Sequence, residues 1–266
     1  MKKSASAVIL LLLILSASLA LLVTRYDYAF QDRDAIMAQS TVQHWAGTDE
    51  LGRDRMVRVA ASLLIGLAGA TAAAAITIAI AACFGLFAAF SPPPVSAILM
   101  FLSDGFLSLP WLFLLMMARS LLPLTASPLE TAVTTFLVLA ALGWPACARA
   151  IYRGTLVLRS AEWMIQGHAY GLKTRQLIRL HLLPHLRSLL LPQFLICVPA
   201  FIMAEANLGA LGLGVGEPMP SWGTMLQELD NSALIARSHW VYLPIVLLFI
   251  VLLLIESFTA EVETNA

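Results

Sequence analysis

Two histidines have a spacing that could do chemistry. His181 and His185 are four residues apart, which places both on one face of a helix, as in many zinc enzymes. Those enzymes carry a Glu beside the first His, whereas this chain has Leu182 there and Pro184 before the second His. The sequence therefore disfavours a zinc site, and we predict neither a metal ligand set nor a catalytic residue in this chain.

Carboxylates form a second cluster, in residues 47–54. This segment contains Asp49, Glu50, Asp54, Arg53 and two glycines. Carboxylates at such spacing could bind a hard cation such as calcium, but the EF-hand spacing is absent and the arginine competes for them. We predict instead a folded turn held by hydrogen bonds between aspartate and Arg53.

A glycine-rich run in residues 209–216 has the composition of a phosphate-binding loop. It lacks the Gly-Lys-Ser/Thr ending of such loops, and Glu217 stands where a dinucleotide fold would place its third Gly. The glycines more plausibly allow close backbone contact at the end of a helix. Because nothing in the chain resembles a nucleotide-binding site, any energy source must lie on another polypeptide.

The composition requires a membrane environment. The 266 residues are 60% hydrophobic and 12% charged, and their formal net charge is zero; the mean hydropathy is +0.85. A soluble domain is about 45–50% apolar and about 25% charged, so this chain could not cover a globular surface with polar groups. The neutral balance argues against a nucleic-acid partner, and the high hydrophobicity excludes disorder.

Six apolar stretches are long enough to cross a bilayer as helices. The chain is predicted to be an all-α, polytopic membrane helical bundle with spans at about 7–23, 59–90, 95–122, 131–148, 188–208 and 241–256. The first span also suits a secretory signal peptide, but its apolar run is longer than the usual 7–15 or so residues, so we expect it to be retained. Cys83, Cys147 and Cys197 lie in apolar stretches and are predicted to be buried.

The distribution of basic residues predicts the orientation. Residues 149–187 contain seven Lys and Arg against one acid, whereas residues 24–58 contain five against six. We therefore place the 149–187 loop and both termini in the cytoplasm. This divides the chain into an N-terminal span with an extracytoplasmic segment (1–58), a core of five spans (59–258) and a C-terminal tail (259–266).

Asp104 and Glu205 are acids inside predicted spans. Ionisable groups at membrane depth usually face a bundle interior or a water-filled path. Each is therefore a candidate for a pathway or gate residue, with a hydrogen-bonded packing role as the equal alternative.

The 149–187 loop is too long for a turn. We expect a short helix over about 161–170, with Gly171 in the left-handed conformation that ends it. Such a helix could lie on the lipid headgroups or dock into a cytoplasmic partner, and the pattern alone does not separate the two.

Three segments, in this order, resemble the dipeptide/oligopeptide/nickel permease family of bacterial ABC importers, and specifically its C-type subunit. The first is the block before the second span, with Gly47, Thr48, Asp49, Gly52, Arg53 and Asp54. The second is the loop between spans four and five, where Gly171, Ile178, Leu183 and Pro184 match the family's coupling segment. By this resemblance the residues that contact the ATPase are Glu162, Ile165, Gln166, Gly167, Gly171, Leu183 and Pro184. The third follows the fifth span, with Gly212, Gly214, Pro220, Ser221, Trp222 and Gly223.

The resemblance implies a transport subunit rather than an enzyme, located in the bacterial inner membrane. It implies a second homologous permease subunit, two ATP-binding subunits that carry ATP and Mg, and an extracytoplasmic substrate-binding protein; no cofactor is expected in this chain. The implied substrate is a di- or oligopeptide, with nickel complexes, haem and opines as alternatives. Two departures stand out: Ile165-Gln166-Gly167 replaces the family's Glu-Ala-Ala, and the inner loop 91–96 carries no charge.

Two other classes remain as alternatives from the sequence. An intramembrane metalloenzyme would use His181, His185 or Glu205. A secondary transporter would show an internal repeat, and the two halves show none.

Overall fold

The computed structural model describes residues 5–121, 127–162, 166, 170–171, 176 and 183–265, and within them every regular element is helical. The helices, numbered in chain order among these residues, are α1 (Ala5–Val23), α2 (Arg55–Phe90), α3 (Pro93–Leu107), α4 (Trp111–Ser120), α5 (Pro128–Arg159), α6 (Leu183–Ala210), α7 (Trp222–Gln227), α8 (Ser232–Arg237) and α9 (Leu243–Asn265). Short 3-10 turns occupy Glu228–Asp230 and His239–Tyr242.

Five or six of the described helical segments are candidate membrane spans. Five single helices are long and apolar enough to cross a bilayer, and α3 with α4 forms a sixth candidate that is bent by 82°. The predicted helical bundle is therefore confirmed, but the prediction of one continuous third span is wrong. Pro110 stands at the N-cap of α4, where its ring removes a backbone donor and ends the helical hydrogen-bond ladder.

The fourth span is longer than predicted. Helix α5 starts at a capping box made by Ser127 and Glu130 and continues to Arg159, although we expected a loop from residue 149. The side chains in 149–159 include no proline, so nothing in them interrupts the backbone hydrogen bonds. As a consequence Arg149, Arg153 and Arg159 lie on a helix rather than in a loop.

Close packing between α2 and α5 forms the centre of the bundle. Small residues of α2 make this possible: Ala70, Ala74 and Ala81 are fully buried. A Cβ atom added at Gly85 would lie 2.7 Å from the carbonyl oxygen of Ala148 on α5. The two helices therefore approach with backbone in contact, as small residues allow in membranes.

The cysteines differ from the prediction at one position. Cys147 on α5 and Cys197 on α6 are buried with their Sγ atoms 3.3 Å apart. Cys83 is exposed, because it lies on the side of α2 that turns away from α5 and α6.

The α2–α5 contact can be tested with a single methyl group. Gly85→Ala should destabilise the protein by about 1–3 kcal/mol, because the added carbon meets a backbone oxygen that cannot rotate away. Gly105→Ala on α3 is the matched control, since a Cβ there has no atom of the described residues within 4 Å. Thermal unfolding in mild detergent should separate the two variants; equal melting temperatures would contradict the close α2–α5 contact.

Candidate functional site

The segment before α2 folds into a turn that requires two glycines. Gly47 and Gly52 have φ angles of 70° and 77°, which side chains with a Cβ rarely adopt. A Cβ at Gly52 would also lie 2.0 Å from the carbonyl oxygen of Asp32. Thr48, buried between them, pairs with Asp54 in an isolated antiparallel bridge.

Asp49 and Arg53 hold this turn together. The Asp49 carboxylate accepts hydrogen bonds from the Arg53 backbone N–H at 2.8 Å and from its Nε at 2.6 Å. Burial lowers the pKa of the Arg53 guanidinium, and the contacts with Asp49 and Glu217 together more than offset this, so the pKa lies above its usual value. The predicted aspartate–arginine turn is thus confirmed.

Asp54 joins the turn to the first span. One of its carboxylate oxygens accepts from the backbone N–H of Val57 at 3.0 Å and caps α2, which satisfies one of the free donors at the helix start. The other oxygen lies 2.8 Å from Nδ1 of the buried His44.

The glycines of the second segment bring backbone into contact with backbone. A Cβ at Gly223 would lie 2.3 Å from the Cα of Gly209, and one at Gly214 would lie 2.5 Å from the same atom. Gly212 has a φ of 75° and turns the chain at the end of α6. The predicted close approach at this helix end is confirmed.

Helix α7 is locked against the bundle by its first residues. Ser221 accepts a hydrogen bond from the N–H of Thr224 and caps the helix, and Pro220 is buried beside it. The Trp222 side chain is fully buried. A Cβ at Gly66 of α2 would lie 2.7 Å from its Nε1, so only glycine leaves room for the indole.

Glu217 connects these two segments, which are far apart in the sequence. Its carboxylate accepts from Arg53 Nη1 at 2.5 Å and from Arg58 Nη2 at 3.1 Å. Arg58 also donates to the carbonyl oxygen of Pro218 at 3.2 Å. We call residues 47–58 together with 209–223 the outer junction.

A second ion pair reinforces the outer junction from the loop after α7. The fully buried Arg55 donates to Glu228 at 2.9 Å and to the carbonyl oxygens of Ala46 and Thr48. Burial raises the pKa of the Glu228 carboxyl, while the charge of Arg55 opposes this rise.

Sequence reasoning missed Arg55, Arg58 and Glu217 as partners. The available signal was two arginines at the border of a long apolar stretch and an acid directly after a glycine-rich run. Each was unexplained by itself, but the pairing spans 159 residues and no local pattern predicts it.

Glu205 lies inside the chain beneath the outer junction. Only 1% of its surface is exposed. The start of α7 is next to it, where the Ser221 side chain and the backbone N–H groups of Trp222 and Gly223 lie near the carboxylate. The structure thus places this pathway candidate against packed protein.

Asp104 has a different environment from Glu205. It forms an ion pair with Arg149 of α5, and the two side chains are 43% and 35% exposed. This second pathway candidate therefore lies at a surface that the chain itself does not cover.

The coupling residues lie at the opposite end of the bundle from the outer junction. Glu162 and Gln166 are helical and exposed, and the Gln166 carbonyl accepts from the N–H of Tyr170 at 2.9 Å. Gly171 follows with a φ of 79°, as predicted for the end of a helix. The backbone of Leu183 and Pro184 begins α6, while Ile165 and Gly167 lie outside the described residues.

A metal centre finds no support among the described residues, where no three His, Cys, Asp or Glu side chains are grouped so as to hold an ion. His185 is exposed on α6, and His181 lies outside the residues described.

Comparison with protein families identifies the family to which this chain belongs. Residues 81–261 match the family described as the binding-protein-dependent transport system inner membrane component. The chain belongs to this family. It is therefore an inner-membrane permease component of a transport system that depends on a binding protein.

Three relatives show how far the similarity of the permease extends. The oligopeptide transport system permease protein OppC of Bacillus subtilis (strain 168) is 30% identical over 221 residues, which cover 83% of this chain and 70% of the relative. The dipeptide transport system permease protein DppC of the same organism is 32% identical over 200 residues, or 75% of this chain and 60% of the relative. OppC of Haemophilus influenzae (strain ATCC 51907 / DSM 11121 / KW20 / Rd) is 29% identical over 243 residues, covering 89% and 74%.

The Glu217 bridge of the permease can be tested by removing its charge. Glu217→Gln should lower the free energy of unfolding by about 1–2 kcal/mol, because the nearly buried Arg53 and Arg58 lose a shared carboxylate that is itself half exposed. Asp230→Asn, at an exposed acid of the same face, is the matched control. Denaturation in mild detergent measures both; an unchanged Glu217→Gln variant would mean that the bridge does not hold the outer junction.

Proposed function

We propose that this permease is one of two homologous membrane subunits that together enclose the pathway of an ATP-driven peptide importer. The observation that carries the proposal is the family match over residues 81–261. The relatives are named for oligopeptide and dipeptide transport, which favours peptides over nickel complexes, haem or opines.

Two ATP-binding subunits would supply the energy. They would hold ATP and Mg, so that this chain needs no cofactor. Their docking position would be the short helix that ends at Gly171, with Glu162, Gln166 and the neighbouring coupling residues at the contact. The left-handed backbone at Gly171 supports this role, because it fixes the angle at which a short lever leaves the membrane.

The outer junction would receive the substrate-binding protein. It is built from both extracytoplasmic family motifs and is tied directly to the start of α2 through Arg58. A rigid contact of this kind suits a docking surface for the binding protein. Binding at a rigid surface displaces the attached helices, whereas a flexible surface would deform without moving them. Alternating access then follows as a rigid-body movement of the spans between the two ends.

Gly171 offers a test of whether the short helix that ends there transmits movement from the ATP-binding subunits to the membrane spans. Gly171→Val should uncouple ATP hydrolysis from peptide uptake, because a β-branched residue resists positive φ by about 1–2 kcal/mol. A Cβ at this position has no atom of the described residues within 4 Å, so the expected cost is conformational. Gly171→Asn is the control, since Asn tolerates this conformation and should retain most of the uptake.

The measurement is ATP hydrolysis and peptide uptake in the same proteoliposomes. Both variants should insert into the membrane normally. Equal uptake by the Val and Asn variants would contradict the proposed role of this helix in coupling.

Subunit composition provides a second test. An affinity-tagged permease extracted in mild detergent should bring with it two copies of an ATP-binding subunit and one homologous permease. Native mass spectrometry gives the stoichiometry. A tagged chain that remains a homo-oligomer without an ATPase would contradict the proposed assembly.

A further inference from the structure

An unusual concentration of arginine lies between the start of α3 and the end of α5. Arg149, Arg153 and Arg159 line a cavity of about 550 Å³ together with Ser96 and Tyr152. Tyr152 and Ser96 hydrogen-bond to each other at 2.9 Å across the two helices. Asp104 extends this surface through its ion pair with Arg149, and we call these six residues the polar wall.

The charges of the polar wall do not cancel. Asp104 neutralises Arg149, but Arg153 is exposed and has no ion-pair partner among the residues described. Arg159 donates to the carbonyl oxygen of Ala89 and lies 4.7 Å over the ring of Phe90, contacts that leave its positive charge in place. The polar wall therefore carries an excess of two positive charges beside an open cavity.

The polar wall is too long to be explained by lipid headgroups. Arg149 and Arg159 are ten residues apart on α5, which corresponds to about 15 Å along the helix. The headgroup layer on each side of a bilayer is only about 5–8 Å thick. The three arginines therefore cannot all lie at headgroup depth, and any part of the polar wall at the depth of the acyl chains would be costly if it faced lipid. A surface with these charges is better accommodated facing water or another subunit.

We propose that the polar wall lines the aqueous pathway at the C-terminal end of α5, opposite the outer junction, and that Arg153 and Arg159 bind the carboxylate of a passing peptide. This inference rests on the proposed function as a peptide importer. Guanidinium groups recognise carboxylates with paired hydrogen bonds. Two of them beside a cavity of this volume supply a weak site, as a transport path needs, because solute must also leave it.

Uptake of two matched peptides tests the inference. The complete transporter in proteoliposomes is given trialanine or its C-terminal amide, which differ only in the carboxylate. Arg153→Gln should lower the ratio of acid uptake to amide uptake about three- to fivefold relative to wild type, while Arg153→Lys keeps most of that ratio. The preference of the binding protein cancels, because the same binding protein serves all variants. Arg187→Gln, at an exposed arginine of α6, is the control and should leave the ratio unchanged.

Each outcome has a separate meaning. If wild type transports neither peptide, the proposed function fails. If wild type transports both and Arg153→Gln leaves the ratio unchanged, the carboxylate site is wrong while the importer stands. If the variant instead slows both peptides equally, and the loss follows the fraction of phosphatidylglycerol in the vesicles, the polar wall binds lipid phosphate and the inference is overturned.

Water access provides an independent measurement. Arg153→Cys, in a Cys83→Ser background that removes the exposed cysteine, should react with a negatively charged, membrane-impermeant thiol reagent. Failure to react in the assembled transporter would show that Arg153 does not face water.

Discussion

One carboxylate ties together two segments at one end of the helical bundle that are far apart in the sequence. Glu217 accepts hydrogen bonds from two arginines of a distant segment, and so joins the turn before α2 to the loop after α6. Charges of this kind are worth little at an exposed surface. Here the arginines are almost completely buried, so opening the contact would leave both buried charges to the single carboxylate of Asp49. The bridge therefore sets the relative position of α2, α6 and α7.

Helix α2 carries that constraint through the membrane. Its 36 residues correspond to about 54 Å, so one helix reaches from Arg58 at the outer junction to Ala89, where Arg159 of α5 makes its contact. Backbone contact at Gly85 joins α2 to α5 along the way. A displacement at Gly85 cannot be absorbed by a rearranging side chain, because backbone meets backbone there. This rigidity supports a mechanism in which spans move as bodies.

The sequence predicted the parts of this structure that depend on local chemistry. Apolar length predicted the spans, the Asp49–Arg53 spacing predicted the outer turn, and Gly171 predicted the end of a helix. The bend between α3 and α4 was not predicted: Pro110 accounts for its position, but its size of 82° depends on how α3 and α4 pack against α5. Pairs that are distant in the sequence could not be predicted from local patterns. Arg58 and Glu217, like Asp104 and Arg149, come into contact only after the helices have packed. Charge counting placed Arg149 and Arg153 in a loop, because it does not distinguish a loop from a helix that leaves the membrane.

The central claim is that this chain moves peptides only as a subunit of an ATP-driven complex. Its most direct test is uptake of a labelled oligopeptide into proteoliposomes that contain this chain alone, or this chain with its partner permease, ATP-binding subunits and binding protein. The account predicts uptake only from the complete set and only with ATP. Uptake by the chain alone, or uptake by the complete set without ATP, would contradict it.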